Sequence, residues 1–390
     1  MNTIITRPVW AEINLDNLAY NIREVRRVTP SGVLITAVIK ADGYGHGAAM
    51  IGQTLLENGA DRFAVAMLSE GLQLRKAFPE TEILILGYTP EELAGEAVEN
   101  RLTQTVFSKE QAQAVSRNAQ AMNRTAKIHI KLDTGMGRIG MQTTESTVSE
   151  ILEISEMSGI EIEGMFTHFA VADETDKQFT HEQVKKYRWV QEQLENRGVR
   201  IPICHVSNSA GIIDLPDYHF NMVRAGIVLY GLYPSDEVSH TGVSLKEVMT
   251  LKARVSHVKE LEAGRGVSYG LKYRTEQCEK IATLPLGYAD GYTRMLSGKA
   301  HVMIQGQRVP VVGRICMDQC MIRVTGLDVK PGDEVVLFGG NDSSGVSIDE
   351  VAAWLGTINY EIICMIDKRV PRVYMKDNAI VAVRDYVREL

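Results

Sequence analysis

The sequence has few cysteines, no long apolar run and no signal-like start. Its 390 residues include five cysteines (Cys204, Cys278, Cys316, Cys320 and Cys364), and no two of them form a CxxC pair. We therefore expect neither a disulfide framework nor a structural zinc site, and reduced thiols predict a cytoplasmic protein. No apolar stretch approaches the roughly 18 residues of a membrane span. The first residues, MNTIITRPVWAEI, do not predict a signal peptide.

An excess of positive charge is also lacking. The chain carries 42 Lys and Arg against 49 Asp and Glu, a formal net charge of −7, so we expect no nucleic-acid partner. With 45% hydrophobic and 23% charged residues, the composition is that of a globular protein. At about 150 residues per domain, the length predicts two or three domains, or one large barrel with an appendage.

Short apolar runs alternate with helix-like segments from residue 15 to about 235. Such runs are typical of parallel strands that are buried on both faces. Eight of them in this length predict an α/β fold of the (β/α)8 TIM-barrel type. The predicted strands are residues 33–39, 62–67, 82–87, 103–106, 127–132, 162–167, 203–207 and 221–225.

Beyond residue 240 the apolar runs lie closer together and are joined by glycine-containing turns such as GQRV and KPGD. This pattern predicts a mostly antiparallel β domain. One helix is predicted within it, SIDEVAAWLG, with Ser347 as the N-cap and Gly356 as the stop. We place an exposed linker at 234–242, which gives a barrel over residues 15–238 and a β domain over residues 239–390.

Polar residues follow five of the predicted barrel strands at their carboxyl ends. In a TIM barrel those ends surround the active site, so the coincidence predicts a catalytic site at one mouth of the barrel. The residues concerned are Lys40, Arg138, His168, Asn208, Ser209 and Arg224.

Lys40 ends a strongly apolar strand. Partial desolvation there would lower the pKa of the amine and make it a nucleophile able to form an imine. The alternative is an ordinary lysine whose charged end reaches solvent. Tyr44 follows after a glycine, where its hydroxyl could reach a phosphate or the ring could simply pack.

The segment AVIKADGYGHG resembles the pyridoxal 5′-phosphate attachment motif of alanine racemases. LDTGMGRIG, THFA, NSAG, NMVRAGIVLYG, VSYG, GYADGY and RICMDQ match that family in order and spacing, from about residue 7 to residue 375. The resemblance implies a barrel that holds the cofactor at its mouth, a C-terminal β domain and a homodimer with composite active sites. It also implies that residues 1–14 join the C-terminal domain.

The reaction implied by the resemblance is the interconversion of L-alanine and D-alanine, which supplies D-alanine for peptidoglycan. Proton transfer on a pyridoxal-phosphate imine needs one base on each face of the substrate, and the resemblance assigns these roles to Lys40 and Tyr269. A tyrosine, with a pKa of about 10, is a poor base unless nearby groups favour its phenolate. The family uses a network that includes a histidine, here His168.

The resemblance also implies a set of residues that contact the cofactor. Among them Arg224 would face the pyridine nitrogen, where a guanidinium can only donate a hydrogen bond and so leaves that nitrogen unprotonated. The weaker electron sink that results would limit transamination. The implied set is Lys40, Tyr44, His168, Asn208, Ser209, Arg224, Gly226, Ile227 and Tyr360.

The remaining implied residues serve the substrate or support the site. Arg138 and the backbone of Met317 would contact the substrate carboxylate. Lys131 matches a position that is carbamylated in many members, and a carbamate there would hold Arg138 in place. His205 either supports Arg224 or is an ordinary core histidine, and Asp318 completes the supporting set.

Three alternatives compete with this interpretation. A pyridoxal-phosphate barrel decarboxylase would place a glutamate at the pyridine nitrogen, where this chain has Arg224. A non-catalytic single-barrel cofactor-binding protein would lack both the C-terminal domain and Tyr269. A racemase of broader substrate range is the remaining alternative. None of these interpretations includes a metal or a membrane partner.

Overall fold

The computed structural model describes residues 4–340 and 345–389, and its contacts divide the chain into two compact units. The barrel unit comprises Ala19–Gly43 and Ala48–Leu245. The β unit comprises Tyr44–Gly47 and the described residues of Met1–Leu18 and Lys246–Leu390.

The chain begins with strand β1 (Val9–Asn14) and helix α1 (Leu15–Val28), and then enters the barrel. The barrel strands are β2 (Leu34–Val38), β3 (Arg62–Val65), β4 (Ile83–Ile85), β5 (Thr103–Val106), β6 (Ala126–Asp133), β8 (Ile160–Phe166), β9 (Ile203–His205) and β10 (Met222–Ala225), with β7 (Met141–Gln142) beside β6. They pair in parallel in the order β10-β2-β3-β4-β5-β6-β8-β9. The Arg224 N–H donates to the Ser207 carbonyl (3.0 Å) and links the two ends. The predicted eight-stranded barrel is confirmed.

Helices follow the barrel strands and cover their outer faces. They are α2 (Ala48–Glu57), α3 (Leu68–Ala77), α4 (Ala94–Glu99), α5 (Lys109–Ala121), α6 (Glu145–Ser155), α7 (Gln178–Asn196) and α8 (Ser209–Asp214). In β6, Ile128, Ile130 and Leu132 pack with residues of α6 and α7. Because side chains alternate along a strand, the intervening His129 and Lys131 point to the other face, and both are buried. These two polar residues therefore lie in the barrel interior.

The predicted linker at 234–242 is exposed over much of its length. Val238 is an exception, because it is 3% exposed and packs in the same apolar cluster as β6. The segment therefore belongs to the barrel unit, which continues to Leu245.

The β unit contains a ten-stranded sheet and a small two-stranded sheet. Its strands are β1, β11 (Met249–Arg254), β12 (His257–Leu261), β13 (Gly266–Val267), β14 (Tyr273–Arg274), β15 (Glu279–Leu284), β16 (His301–Ile304), β17 (Gln307–Val312), β18 (Cys320–Arg323), β19 (Glu334–Phe338), β20 (Arg372–Lys376) and β21 (Ala379–Arg384). In the larger sheet, β1 lies between β11, to which it is antiparallel, and β20, to which it is parallel. The other described pairs of that sheet are antiparallel, so the predicted mostly antiparallel domain is confirmed.

Two helices interrupt the β unit, α9 (Ile348–Leu355) and α10 (Asn359–Met365). Helix α9 has the predicted ends, since Ser347 Oγ accepts from the Glu350 N–H (3.0 Å) and Gly356 ends the helix with φ +72°. The prediction of a single helix was wrong. Helix α10 is only seven residues long and its N-cap, Ile358, offers no side-chain acceptor, so it carries no start signal. In the part of the chain that the structure describes, no helix has the length and apolar character needed to cross a bilayer.

Candidate active site

Lys40 begins a turn of reversed helical sense just after β2. The four residues Ala41–Tyr44 all have φ between +51° and +65°. A left-handed conformation costs about 1–2 kcal/mol for each residue with a side chain. Asp42 Oδ1 accepts from the Ala48 N–H (2.9 Å) and helps to hold the turn. Backbone strain of this kind concentrates at functional sites, so the turn supports Lys40 as a candidate active-site residue.

Arg224 of β10 is fixed by its hydrogen bonds and is 3% exposed. Its Nη1 donates to His205 Nδ1 (2.9 Å), and its Nη2 donates to the carbonyls of Thr167 (2.9 Å) and Val206 (3.0 Å). Burial lowers the pKa of Arg224 to about 10, so the guanidinium remains charged at neutral pH. Among the described residues, its Nε–H has no hydrogen-bond acceptor. Arg224 is therefore a rigid cation with one donor left for a ligand.

The imidazole of His168 lies beside Arg224, with its Nδ1 at 3.4 Å from Nη2. Burial, and then the charge of Arg224, hold the pKa of His168 well below its ordinary value, so the ring is neutral. Because both Nη2 hydrogens point to carbonyls and arginine cannot accept, the Nδ1 that faces this cation carries the lone pair, and the ring proton lies on Nε2. His168 can then donate from Nε2 to another group.

Lys131 and Arg138 add positive charge near Arg224. Lys131 is 3% exposed and donates to the Leu132 carbonyl (2.9 Å). Burial, together with the charges of Arg224 and Arg138, lowers the pKa of Lys131 to about 7. The Arg138 side chain is exposed, with no hydrogen-bond partner among the residues that the structure describes. Arg224 and Arg138 can hold anionic groups, and the lowered pKa of Lys131 makes its amine available for reaction.

Ser209 and Gly226, two of the predicted cofactor contacts, lie together. The Gly226 N–H donates to Ser209 Oγ over 3.0 Å, and Ile227, the next residue, is fully buried. Asn208, not Ser209, caps helix α8, because Asn208 Oδ1 accepts from the Gly211 N–H (3.0 Å). The Ser209 hydroxyl is therefore not the cap of this helix.

Tyr44 and Tyr360 form a second pair of predicted cofactor contacts, within the β unit. Their ring centroids are 6.3 Å apart at an interplanar angle of 48°. Tyr360 lies on α10, the helix that carried no start signal, and Tyr44 ends the left-handed turn.

Tyr269 lies on a strained and exposed turn of the β unit. The residue is 68% exposed, and its neighbours Ser268 (φ +64°) and Leu271 (φ +46°) are left-handed. Ser268 Oγ donates to the Arg314 carbonyl (2.6 Å) and fixes the turn. Tyr269 and Met317 both line a cavity of about 600 Å³. The phenol of Tyr269 therefore extends outward from a well-ordered turn.

The backbone at Met317 is set by a close approach to Gly287. A Cβ on Gly287 would lie 2.5 Å from the Met317 carbonyl oxygen, so only glycine fits there. That carbonyl accepts from the Ala289 N–H (3.1 Å), whereas the Met317 N–H has no acceptor among the described residues. Asp318, the next residue, accepts from Arg369 Nη2 (2.7 Å).

Two buried residues of this region were missed in the sequence, His129 and Glu163. His129 Nδ1 lies 2.9 Å from His205 Nε2, and His129 Nε2 lies 2.9 Å from Glu163 Oε2. The residues predicted from the barrel pattern lie at strand ends, whereas these two lie within strands. The available signal was the presence of a histidine and a glutamate inside runs that should be apolar on both faces.

The sequence is similar to a known protein family over both units. Residues 13–234 match the family described as alanine racemase, N-terminal domain, and residues 248–374 match alanine racemase, C-terminal domain. The chain belongs to the alanine racemase family. Its sequence is 53% identical to alanine racemase 1 of Clostridium acetobutylicum over 382 residues, which cover 98% of this chain and 99% of that relative.

Solved structures of alanine racemases have the same fold. The alanine racemase of Clostridium difficile 630 matches with a TM-score of 0.95 at 47% identity, over 98% of this chain and 100% of that one. That of Bacillus anthracis with bound L-Ala-P matches with a TM-score of 0.94 at 38% identity, over 99% and 100%. Because the chain matches both domains of the family, the single-barrel alternative is removed.

Proposed function

We propose that this chain interconverts L-alanine and D-alanine, with pyridoxal 5′-phosphate bound at the mouth of the barrel. The observation that carries the proposal is Arg224, a buried cation whose Nη groups are occupied and whose Nε–H is left for a ligand. A pyridine nitrogen is an acceptor that fits this donor. The neighbouring cation Arg138 fits an amino-acid carboxylate.

Bound pyridoxal phosphate would draw electrons away from the Cα–H bond of an amino acid, which no side chain can do. Lys40 would hold the cofactor covalently and then exchange a proton with Cα on one face. The Arg224 Nε–H would donate to the ring nitrogen and, being unable to accept, would keep that nitrogen unprotonated. This favours return of the proton to Cα over transamination.

The second base is Tyr269 of the partner subunit in a homodimer. Two observations support this assignment: the phenol is 68% exposed in the single chain, and it is carried by a strained, well-held turn. The Nε2–H of His168 would stabilise that phenolate as a donor. Twofold symmetry would give two equivalent sites per dimer.

The remaining residues of the site bind the substrate or the phosphate, or hold other residues in position. Arg138 and the Met317 N–H would bind the substrate carboxylate, and Lys131 would orient Arg138, while His205 holds Arg224 and Asp318 fixes the Met317 loop. The phosphate would be held by Tyr44, Ser209, Gly226, Ile227 and Tyr360, with Asn208 ordering the turn before Ser209.

The proposed setting is the reducing cytoplasm, where D-alanine is needed for peptidoglycan. All five cysteines are free thiols, and Cys204 and Cys320 are buried. Such residues suit a compartment that keeps thiols reduced.

The test begins with the purified chain, supplied with pyridoxal phosphate and assayed with L-alanine for D-alanine. Borohydride reduction followed by peptide mapping should find the cofactor on Lys40, and Lys40→Ala should be inactive and unlabelled. Label on Lys131 or another lysine would end the assignment of Lys40. Parallel assays with serine and lysine distinguish alanine racemisation from a broader substrate range.

A further inference from the structure

A line of polar side chains crosses the barrel interior from Arg224 to Glu163. Arg224 Nη1 bonds His205 Nδ1, His205 Nε2 bonds His129 Nδ1, and His129 Nε2 bonds Glu163 Oε2, each over 2.9 Å. All four residues are at most 7% exposed. We call these four residues the imidazole chain. Of its members, the proposed reaction uses only Arg224 and its support His205.

The backbone is shaped to bring Glu163 into this line. The pairing of β6 with β8 shifts from Ile128 opposite Ile162 to His129 opposite Gly164, so Glu163 is the extra residue of a bulge. A bulge redirects a side chain. Without it, Glu163 would share a face with Met165, which packs outside the barrel among the helices.

Gly164 makes room for the next member of the imidazole chain. A Cβ at Gly164 would lie 2.5–2.7 Å from three ring atoms of His129. Any larger residue would displace the imidazole from both of its hydrogen bonds. A bulge and an obligatory glycine at adjacent positions therefore serve the same contact.

The two end groups of the imidazole chain, the Arg224 donor and the Glu163 acceptor, determine the direction of every hydrogen bond between them. Arg224 can only donate, so His205 Nδ1 accepts and the ring proton lies on Nε2. That Nε2–H donates to His129 Nδ1, and the His129 Nε2–H then donates to the Glu163 carboxylate. Burial lowers the pKa of both histidines, so both rings are neutral.

The far end of the imidazole chain is a stable carboxylate. Although burial opposes it, the hydrogen bond from His129 and the charge of Arg62 hold the pKa of Glu163 well below its ordinary value. Arg62 Nη2 lies 2.8 Å from Oε2, and Lys127 Nζ lies 2.9 Å from Oε1. Lys127 also contacts Glu82 (2.8 Å), which bonds no histidine among the described residues.

We propose that Glu163 is a positioning residue for the site at the barrel mouth. By accepting from His129, it sets the tautomers of both histidines and so keeps an acceptor facing Arg224. Without that acceptor, His129 would be free to carry its proton on Nδ1. His205 would then have to carry its own on Nδ1, against the N–H of Arg224, and the guanidinium would move. The effect on catalysis rests on the proposed racemase function, whereas the tautomers of the two histidines do not depend on that function.

Three variants of the full-length protein separate the possibilities. Glu163→Met removes the acceptor. Glu163→Gln keeps an acceptor, because the buried donors of Arg62 and His129 at the Oε2 position require the amide oxygen there. The amide nitrogen would then face Lys127, which is 37% exposed and keeps its ion pair with Glu82. Glu82→Gln is the matched control, since it removes one charge from the same cluster without touching the imidazole chain.

The first measurement is the ¹⁵N NMR spectrum of histidine-labelled protein, with and without added cofactor. His129 and His205, assigned from single substitutions, should both be neutral with the proton on Nε2 in the parent and in Glu82→Gln. Glu163→Gln should keep these tautomers, and Glu163→Met should lose at least one. A proton on Nδ1 of either ring in the parent would overturn the proposal, and so would unchanged tautomers in Glu163→Met.

The second measurement is the split between kcat and KM for alanine. A hydrogen bond to a charged group is worth about 1.5–3 kcal/mol, so kcat of Glu163→Met should fall about tenfold to a hundredfold. KM should change less, and Glu163→Gln should restore most of the loss. Equal losses in Glu163→Gln and Glu163→Met, or a lower melting temperature with unchanged kcat, would also contradict the positioning role. If Glu163→Met does not fold, the parent spectrum and the Glu163→Gln variant decide. A parent that does not racemise alanine would refute the proposed function and leave the tautomer test intact.

Discussion

Arg7 and Asp290 form a bidentate ion pair, in which Nη1 lies 2.6 Å from Oδ1 and Nη2 lies 3.0 Å from Oδ2. The Asp290 carboxylate is fully buried, and its Oδ2 also accepts from the Gly287 N–H (3.0 Å). The pair thus connects the start of the chain to the turn that approaches Met317.

Breaking this pair should destabilise the β unit. Arg7→Ala would leave a buried carboxylate whose remaining cation, Arg369 Nε, is 3.8 Å away, and a lost buried partner costs about 3–5 kcal/mol. Urea denaturation of the variant measures the loss. Glu80→Ala, which breaks an exposed pair with Arg101, should change the free energy of unfolding far less, because solvent screens that pair. Similar effects of the two substitutions would contradict the prediction.

Glu247 should make the stability of the chain depend on pH. Burial raises its pKa to about 7 from an ordinary value of 4.5, and among the described residues its Oε2 has no hydrogen-bond partner. Because the folded state favours the protonated form of Glu247, the contribution of this group to the free energy of unfolding is fully present below pH 4.5. It is lost as the pH rises to 7.

Glu247→Gln should remove this loss. The advantage of the variant in unfolding free energy should be near zero at pH 4.5 and rise to about 3 kcal/mol above pH 7. Chemical denaturation at pH 4.5, 6 and 7.5 provides the measurement. The exposed Glu262→Gln serves as the control and should show no such trend. An advantage for Glu247→Gln that is the same at all three pH values would refute the explanation.

Lys131 should form a carbamate. With a pKa of about 7, much of its amine is unprotonated at neutral pH and can attack CO₂, forming an N–C bond and releasing a proton. The product is an anion beside the charges of Arg224 and Arg138. Protein equilibrated with ¹³C-bicarbonate at pH 7.5 should give a carbamate ¹³C signal that disappears on acidification to pH 5.5. The signal should be absent in Lys131→Met, and its persistence there would place the modification elsewhere.

Arg224→Glu should shift the products from D-alanine towards pyruvate. A carboxylate in this position would keep a proton on the pyridine nitrogen of the bound cofactor and so favour transfer of the amino group to the cofactor. Racemisation should slow while the pyruvate yield rises. Misfolding would lower both activities and weaken cofactor binding. A cofactor-saturated variant with no more pyruvate than the parent would show that Arg224 does not set the reaction type.

Mixed dimers test whether the two bases come from different chains. Lys40→Ala and Tyr269→Phe should each be inactive alone. Refolded together at equal amounts, they should regain about a quarter of the parental activity, because half of the dimers are mixed and each of these has one intact site. Proven mixed dimers without activity would place both bases in one chain.

The sequence predicted the barrel because burial on both faces leaves continuous apolar runs, of which 103–106 coincides with β5. It also predicted polar groups at the strand ends, whose individual roles stay predictions. The imidazole chain could not be predicted in the same way. Glu163 faces the interior only because a bulge changes the alternation of β8, and no local pattern marks that bulge. Helix α10 was missed because it depends on tertiary packing, with Ile362 and Ile363 buried, and not on a capping residue.

Tyr44–Gly47 belongs to the β unit although it lies between two segments of the barrel unit. There the Gly45 carbonyl accepts from Arg372 Nε (2.9 Å), and the His46 carbonyl accepts from the Tyr374 hydroxyl (3.0 Å). Strand β1 likewise fills the position between β11 and β20. The chain therefore passes between the units four times. Cutting it near residue 245 would leave the C-terminal fragment without β1 and Tyr44–Gly47, and the N-terminal fragment would keep these segments without the strands and side chains that they bind. Neither fragment corresponds to one complete folding unit alone. Gene fusions or truncations at this boundary would therefore separate strands and loops that fold together.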